Sequence, residues 1–296
     1  MSRRDTEKEH HNNKTAEGSL IVVGSGIQAV RHVTLEALQS IEYADKVFYL
    51  VADPITGLWI KKLRPDAESL TDYYIEGKRR TRIYSEIVES TLEHVRLGLT
   101  VCLLLYGHPG VFAKNISQVS IRKARKEGFS ANMFPGISAE DCLFADLGID
   151  PSSPGCQSFE ATSFLLHKYK FDTSCHLILW QIGAIGDMGF NPRKDNKHGL
   201  IVLTDFLKQY YDSKHEVVVY QAAQYCICKP IIQRVSLDSL PEVYVDYITT
   251  LYVPPNLSAA DIPIDYRMAR RLGLDSELQA MDFNFSLKKF FRLTGK

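Results

Sequence analysis

Two stretches of this chain carry side chains whose types and spacing suit chemistry. The first is Tyr106-Gly107-His108-Pro109-Gly110-Val111-Phe112, which follows the apolar run Val101-Cys102-Leu103-Leu104-Leu105. That run reads as a buried strand. A glycine-rich turn straight after it lets backbone approach a ligand, because glycine has no Cβ and tolerates positive φ. In open α/β sheets, ligands bind at the carboxyl ends of strands. The bland alternative is a tight turn that happens to hold two glycines and a proline, and the local sequence alone slightly favours it. The second stretch is Leu70-Thr71-Asp72-Tyr73-Tyr74, then Lys78-Arg79-Arg80, then Tyr84. On a helix, Arg80 and Tyr84 share one face, being four residues apart. A phenol ordinarily ionises near pH ~10, and a guanidinium beside it favours the phenolate. Arginine itself stays charged throughout. The bland alternative here is a solvated basic helix start whose tyrosines merely pack.

Alternating strands and helices must position these groups. Leu20-Ile21-Val22-Val23 predicts a buried strand ending in Gly24-Ser25-Gly26, followed by a helical pattern through Val30, Val33, Leu35, Leu38 and Ile41. Lys46 to Val51 predicts a second strand, Ile55 to Leu63 a helix, and Ile83 to Leu97 another. After the central turn come a helix over Ile116 to Lys126 and a strand over Phe129 to Met133. Pro135-Gly136-Ile137 is a turn, and Ser138 caps a helix running to Leu147, with Asp141 in its first turn. This alternation implies a mostly parallel sheet. The turn-rich Pro151-Ser152-Ser153-Pro154-Gly155 follows. Beyond it, strands at His176 to Trp180, Val217 to Tyr220, Ile231 to Val235 and Thr249 to Val253 outnumber helices, of which Ile201 to Tyr211 is one, and this suggests a mixed sheet. The expected division is a disordered tail over 1–18, an α/β unit over 19–150, a second over 151–255, and an extension over 256–296 for dimer or substrate contacts.

Composition excludes several classes. Lys+Arg and Asp+Glu both number 35, so the net charge is zero, which argues against a general nucleic-acid binder. No apolar run approaches the ~20 residues that span a bilayer, and residues 1–18 do not read as a secretory signal. The six cysteines include one close pair, Cys226 and Cys228, without zinc-ribbon spacing. A reduced, cytoplasmic protein without a metal site is expected. Gly24-Ser25-Gly26 invites a dinucleotide-binding reading, but Ala29 stands where the third glycine belongs. Asp45 precedes the second strand rather than ending it, so a nicotinamide enzyme is disfavoured.

Five blocks occur in order: Val23-Gly24-Ser25-Gly26, Tyr106 to Phe112, Pro135-Gly136-Ile137-Ser138-Ala139-Glu140, Ser158-Phe159-Glu160-Ala161 and Leu179-Trp180-Gln181. Together they resemble the tetrapyrrole-methylase class of S-adenosylmethionine (SAM) methyltransferases. Within that class, the central turn and the Pro-Gly-Ile-Ser-Ala-Glu block resemble the borosin α-N-methyltransferases, which methylate backbone amides of a ribosomally made peptide. The resemblance covers residues 19 to 253. It implies an α/β, tetrapyrrole-methylase fold of two domains with SAM in the cleft between them, and a homodimer of intertwined subunits. It sets SAM against Tyr106, Gly107, His108, Pro109, Gly110, Val111 and Phe112, with Ser138 and Ala139 beside them. Gln181, Gln221 and Ala222 contribute from the second domain. It also implies that Tyr74, Arg80 and Tyr84 line the reacting peptide bond, with Tyr106 a further active-site tyrosine; Tyr73 remains an alternative to Tyr74.

These residue types suit that reaction. An amide nitrogen is a poor nucleophile, because resonance draws its lone pair into the carbonyl. It must lose its proton while the carbonyl oxygen is held as negative charge develops. A Tyr–Arg–Tyr group is expected to accept the proton and hold the oxygen. His108 is expected to be structural. The acceptor is expected on a separate precursor peptide, since residues 281–292 are aromatic and charged rather than a small apolar run. A truncated fusion is the competing explanation. A methyltransferase of tetrapyrroles or other small molecules, and a non-catalytic SAM- or peptide-binding protein, are the other readings weighed.

Overall fold

The computed structural model describes residues 18–113, 115–189, 191, 196–257 and 262–274. The expected tail over 1–18 falls almost wholly outside these residues, as does the aromatic-basic stretch over 281–292.

The first half is a layered α/β unit. Its elements are β1 (Ser19–Gly24), α1 (Leu35–Tyr43), β2 (Lys46–Leu50), α2 (Pro54–Leu63), β3 (Glu68–Ser69), α3 (Arg80–Arg96), β4 (Thr100–Leu105), α4 (Ser117–Lys126), β5 (Ser130–Met133) and α5 (Ala139–Leu147). The strands form one sheet in the order β3-β2-β4-β1-β5, and every pairing is parallel. Successive residues of a strand face opposite sides, so a strand covered on both faces reads as a continuous apolar run. In β4, Val101, Leu103 and Leu105 pack with Ile83, Ile87 and Leu92 of α3. Cys102 and Leu104 turn the other way, towards Ala37 and Ile41 of α1 and Ile60 of α2.

The second half comprises β6 (Cys156–Glu160), α6 (Ala161–Leu166), β7 (His176–Trp180), α7 (Lys197–Leu207), β8 (Glu216–Gln221), β9 (Ile231–Ser236), β10 (Thr250–Val253) and α8 (Tyr266–Arg271). Its sheet runs β6-β7-β10-β8-β9. Only β6 and β7 are parallel; the other pairings are antiparallel, giving the mixed sheet. Helices α6 and α7 cover one face through Phe164, Leu200 and Leu203. Leu143 of α5 packs among Ile178, Val218 and Tyr252 on the opposite face. The last helix of the first half therefore helps bury the second sheet. The Tyr220 hydroxyl donates to Asp146 at 2.7 Å across that contact.

Two expected elements are displaced. The helix expected from Val30 begins only at Leu35, with Thr34 accepting the Ala37 N–H at 3.1 Å as its cap. Before it, Ile27 packs among residues of the second sheet, and the Ala29 N–H donates to the Gln224 carbonyl at 2.9 Å. Val30 sits at φ +67°, which a β-branched residue rarely adopts. Tertiary contacts overrode the local periodicity. The helix expected from Ile201 instead begins at Lys197.

Candidate active site

Two strand ends meet at the central turn. Gly24 closes β1 and Tyr106 follows β4. Gly107 has φ +71°, natural for glycine alone. Its N–H donates to the Gly26 carbonyl at 3.0 Å, and its own carbonyl accepts the Gly26 N–H at 3.2 Å. The Gly24-Ser25-Gly26 pair thus clamps the turn after β4, which explains two glycines without a third. Asp45, passed over for a ribose role, accepts the Thr100 N–H at 2.8 Å.

His108 closes the turn on itself. Its Nδ1 accepts the Gly110 N–H at 2.8 Å, which sets the other ring nitrogen to carry the proton in the neutral tautomer. A Cβ on Gly110 would lie 2.9 Å from His108 Cε1 and 3.3 Å from Met133 Sδ. Gly110 is therefore hemmed in by its own turn and strand β5, not by the open space beside it.

That space is a cavity of about 440 Å³. Its floor is the turn, through Tyr106, Gly107, His108, Val111 and Phe112. Ser138 and Ala139 border it at the start of α5. Ser138 is the cap there, with its N–H donating to Asp141 Oδ2 at 2.7 Å and its Oγ accepting the Asp141 N–H at 3.2 Å. The second sheet supplies Trp180, Gln181, Gln221, Ala222 and Thr250. Strand β10 runs antiparallel to β7 and β8, so its first residue lies beside their last ones. The remaining wall holds Tyr74, Arg80 and Tyr84. Of the expected site residues, only Pro109 and Gly110 do not line the cavity, and Tyr74 rather than Tyr73 does.

Arg80 is the first residue of α3 and Tyr84 lies one turn on, so both face the same space. The Arg80 Nε donates to the Gly189 carbonyl at 2.8 Å, and Nη1 reaches Gln181 Oε1 at 3.5 Å. Its guanidinium lies 5.4 Å from the Tyr247 ring centroid, in cation–π range. Gln181 has φ +56° and Phe112 φ +62°, so two lining residues hold the left-handed conformation unusual for side-chain-bearing residues.

The tyrosines correct one expectation. Burial raises the Tyr74 hydroxyl above its ordinary pKa, and Tyr84 pushes the same way. Burial raises Tyr84 as well, with Glu160 adding to it. Arg80 lowers both, in the expected direction, but burial outweighs it. Tyr106 is pushed up to about 12, again by burial, against a hydrogen bond from Gln224. Burial thus favours the protonated phenol in all three, against the expected phenolate.

The sequence reading missed Tyr247, Ile248, Thr250 and the wall Leu50-Val51-Ala52. Trp180, beside Gln181 at the end of β7, lines the cavity as well. The wall was findable as the carboxyl end of β2. Tyr247 carried no local signal. No His, Cys, Asp and Glu grouping fit for a metal occurs among the described residues.

Residues 19–226 match the model of the tetrapyrrole (corrin/porphyrin) methylases. The chain belongs to that family. Two relatives share much of its sequence. The chain is 45% identical over 242 residues to the methyltransferase/ribosomally synthesized cyclic peptide gymnopeptides precursor of Gymnopus fusipes, covering 80% of this chain and 57% of that protein. It is 38% identical over 265 residues to a methyltransferase/ribosomally synthesized type I borosin cyclic peptide precursor of Coprinopsis marcescibilis, covering 87% of this chain and 67% of that protein. The chain thus spans about three-fifths of the length of the first of these relatives. Among solved structures, the tetrapyrrole methylase fold recurs in a cobalt precorrin-4 methyltransferase at 17% identity, with a TM-score of 0.60 over 81% of this chain and 96% of that one. No helix among the described residues is long and apolar enough to cross a membrane.

Proposed function

We propose that this tetrapyrrole-methylase family member transfers methyl groups from SAM to backbone amide nitrogens of a peptide. The observation that carries the reading is the convergence of Tyr74, Arg80 and Tyr84 with the Gly107 turn on one cavity. Relatives whose printed names join a methyltransferase to a cyclic peptide precursor support it.

The cavity fits the cofactor. Gly107 presents bare backbone, and a Cβ there would lie 3.3 Å from Ile27 Cδ1 at the cavity wall. Tyr106, Gly107, His108, Val111, Phe112, Ser138, Ala139, Gln181, Gln221 and Ala222 would hold it. When bound, SAM supplies an electrophilic methyl on a positive sulfonium. Tyr74 and Tyr84, kept protonated by burial, donate to the carbonyl oxygen of the acceptor amide. The Arg80 charge favours negative charge on that oxygen while the amide proton passes to solvent; the methyl would leave the sulfonium for the nitrogen, releasing S-adenosylhomocysteine. Fixed donors in a site with little water are worth far more than the same donors in solution. Alignment of the nitrogen with the methyl supplies much of the remaining rate.

The acceptor is proposed to arrive on a separate polypeptide, and the enzyme to act as a homodimer in the cytoplasm. Delivery in cis is the competing reading, since the printed names of the relatives join a methyltransferase and a precursor in one protein. The test is to incubate the purified protein with SAM, with and without a synthetic peptide of valine, isoleucine and glycine, and to read intact masses. Methyl-sized increments on peptide backbone nitrogens, located by fragmentation, support the proposal. Increments on the chain itself in the absence of peptide overturn delivery in trans. SAM binding without any methyl transfer overturns the enzyme.

A further inference from the structure

Arginine at the first position of a helix stands at the positive end of the helix dipole, the wrong sign for stability. Arg80 occupies that position in α3, and Arg79 before it offers no side-chain cap. The second half of the chain offsets both deficits. The Arg80 N–H, one of the unsatisfied donors of a helix start, donates to the Met188 carbonyl at 3.3 Å. Its side chain donates to the next carbonyl, that of Gly189. A single turn therefore holds both the backbone and the guanidinium of the active-site arginine.

Asp187 builds that turn. Its carboxylate accepts the Gly189 N–H at 3.0 Å, the Asn191 N–H at 3.2 Å and the Asn191 Nδ2 at 2.7 Å. The Tyr247 hydroxyl donates to the same carboxylate and accepts the Asn191 N–H at 3.0 Å. Asp187 is 9% exposed, and a carboxylate so placed is costly unless paired. Burial opposes its charge, but the Tyr247, Gly189 and Asn191 bonds and the charge of Arg80 outweigh it and hold its pKa low. Tyr247 does two things at once: its hydroxyl fixes Asp187, and its ring lies against the guanidinium that the Asp187 turn orients.

We propose that Asp187 and Tyr247 are positioning residues for Arg80, so that the second half of the chain sets the aim of a guanidinium carried by the first. This rests on the peptide-methylating reading above. The linkage runs from the Tyr247 hydroxyl to Asp187, which holds the Gly189 N–H, and from the Gly189 carbonyl to Arg80. Asp187 is not among the cavity-lining residues, whereas Tyr247 lines the wall beside Arg80. Loss of either leaves Arg80 charged and present but free to swing away from the acceptor oxygen.

The test uses Tyr247→Phe, which keeps the ring and removes the hydroxyl, and Asp187→Asn, which keeps the shape and removes the charge. Each is made alone and with Arg80→Lys. The probes are SAM and the valine, isoleucine and glycine peptide. Expected is a fall in kcat of about tenfold or more, the scale of a small misplacement of a positioned group, with KM for SAM and the thermal midpoint held. In the Arg80→Lys background the added loss should be under about twofold, because residues acting through one another are not additive. Amide exchange at Arg80 should quicken about tenfold while core strands stay protected. Losses that multiply fully with Arg80→Lys, or unchanged kcat and exchange, overturn the proposal. If the wild-type protein binds SAM but methylates nothing, the functional reading fails instead, and exchange at Arg80 alone decides whether the positioning chain exists.

Discussion

Gly24 and Gly107 meet backbone to backbone: a Cβ built on Gly24 would lie 2.1 Å from the Gly107 carbonyl oxygen. Gly136 joins the same contact, its Cβ position falling 2.9 Å from that oxygen. The ends of β1 and β4 can approach only because no side chain stands between them. Gly24→Ala should therefore cost about 3 kcal/mol or more, at the upper end of overpacking effects, since the clash is with backbone. Chemical denaturation reads this directly. A loss within ~0.5 kcal/mol, as for an ordinary surface change, would show that the strand ends can part freely.

Gly110 acts through His108. Gly110→Ala should weaken SAM binding by roughly tenfold, because the new methyl meets the imidazole ring and reshapes the turn. Adding His108→Ala removes the obstacle, so the double variant should lose less than the two single losses combined. Calorimetric titration with SAM checks it. Strict additivity would mean that residue 110 meets the cofactor itself.

Burial holds the Tyr74 and Tyr84 hydroxyls above the ordinary phenol range, which favours their protonated form. Tyr84→Phe should lower kcat ~10²-fold, a typical cost of losing one aimed hydrogen-bond donor. The shape of the pH–rate profile between pH 7 and pH 9 should survive the change, because no phenolate forms there. An alkaline limb present in the wild type and missing in Tyr84→Phe would restore the phenolate base.

Stability should fall on the alkaline side. Burial pushes Cys142 and Cys156 up to about 11, and Tyr106 and Tyr252 up to about 12. Ordinary thiols and phenols ionise near ~8.5 and ~10. Between those values and the raised ones the folded chain keeps protons that the unfolded chain gives up, so unfolding is favoured as pH rises. Their contribution is intact below pH ~8.5 and is lost progressively towards pH ~12. Thermal midpoints across that range should decline, and Tyr252→Phe should soften the steep part. A flat response up to pH ~11 would contradict the burial of these groups.

The order of elements was legible in the chain, because each core strand signals itself locally. Val101 to Leu105 is apolar throughout since both faces of β4 are covered, and Ser138 with Asp141 announces α5 by its own capping chemistry. The placement of the turn after β4, and of Arg80 and Tyr84 on one face of a helix, was legible too, whereas their roles rested on the family resemblance. What only the tertiary structure decided lies in contacts between distant residues. Arg80 and Gly189 are separated by 109 positions, and nothing near either marks the other. Tyr247 is one of many tyrosines until Asp187 and Arg80 close on it. Burial of the phenols outweighed the expected effect of Arg80, because desolvation depends on everything packed around a group and not on its neighbours in sequence. Local propensity specifies which elements form; the sum of long-range packing sets the protonation and the aim of the side chains they carry.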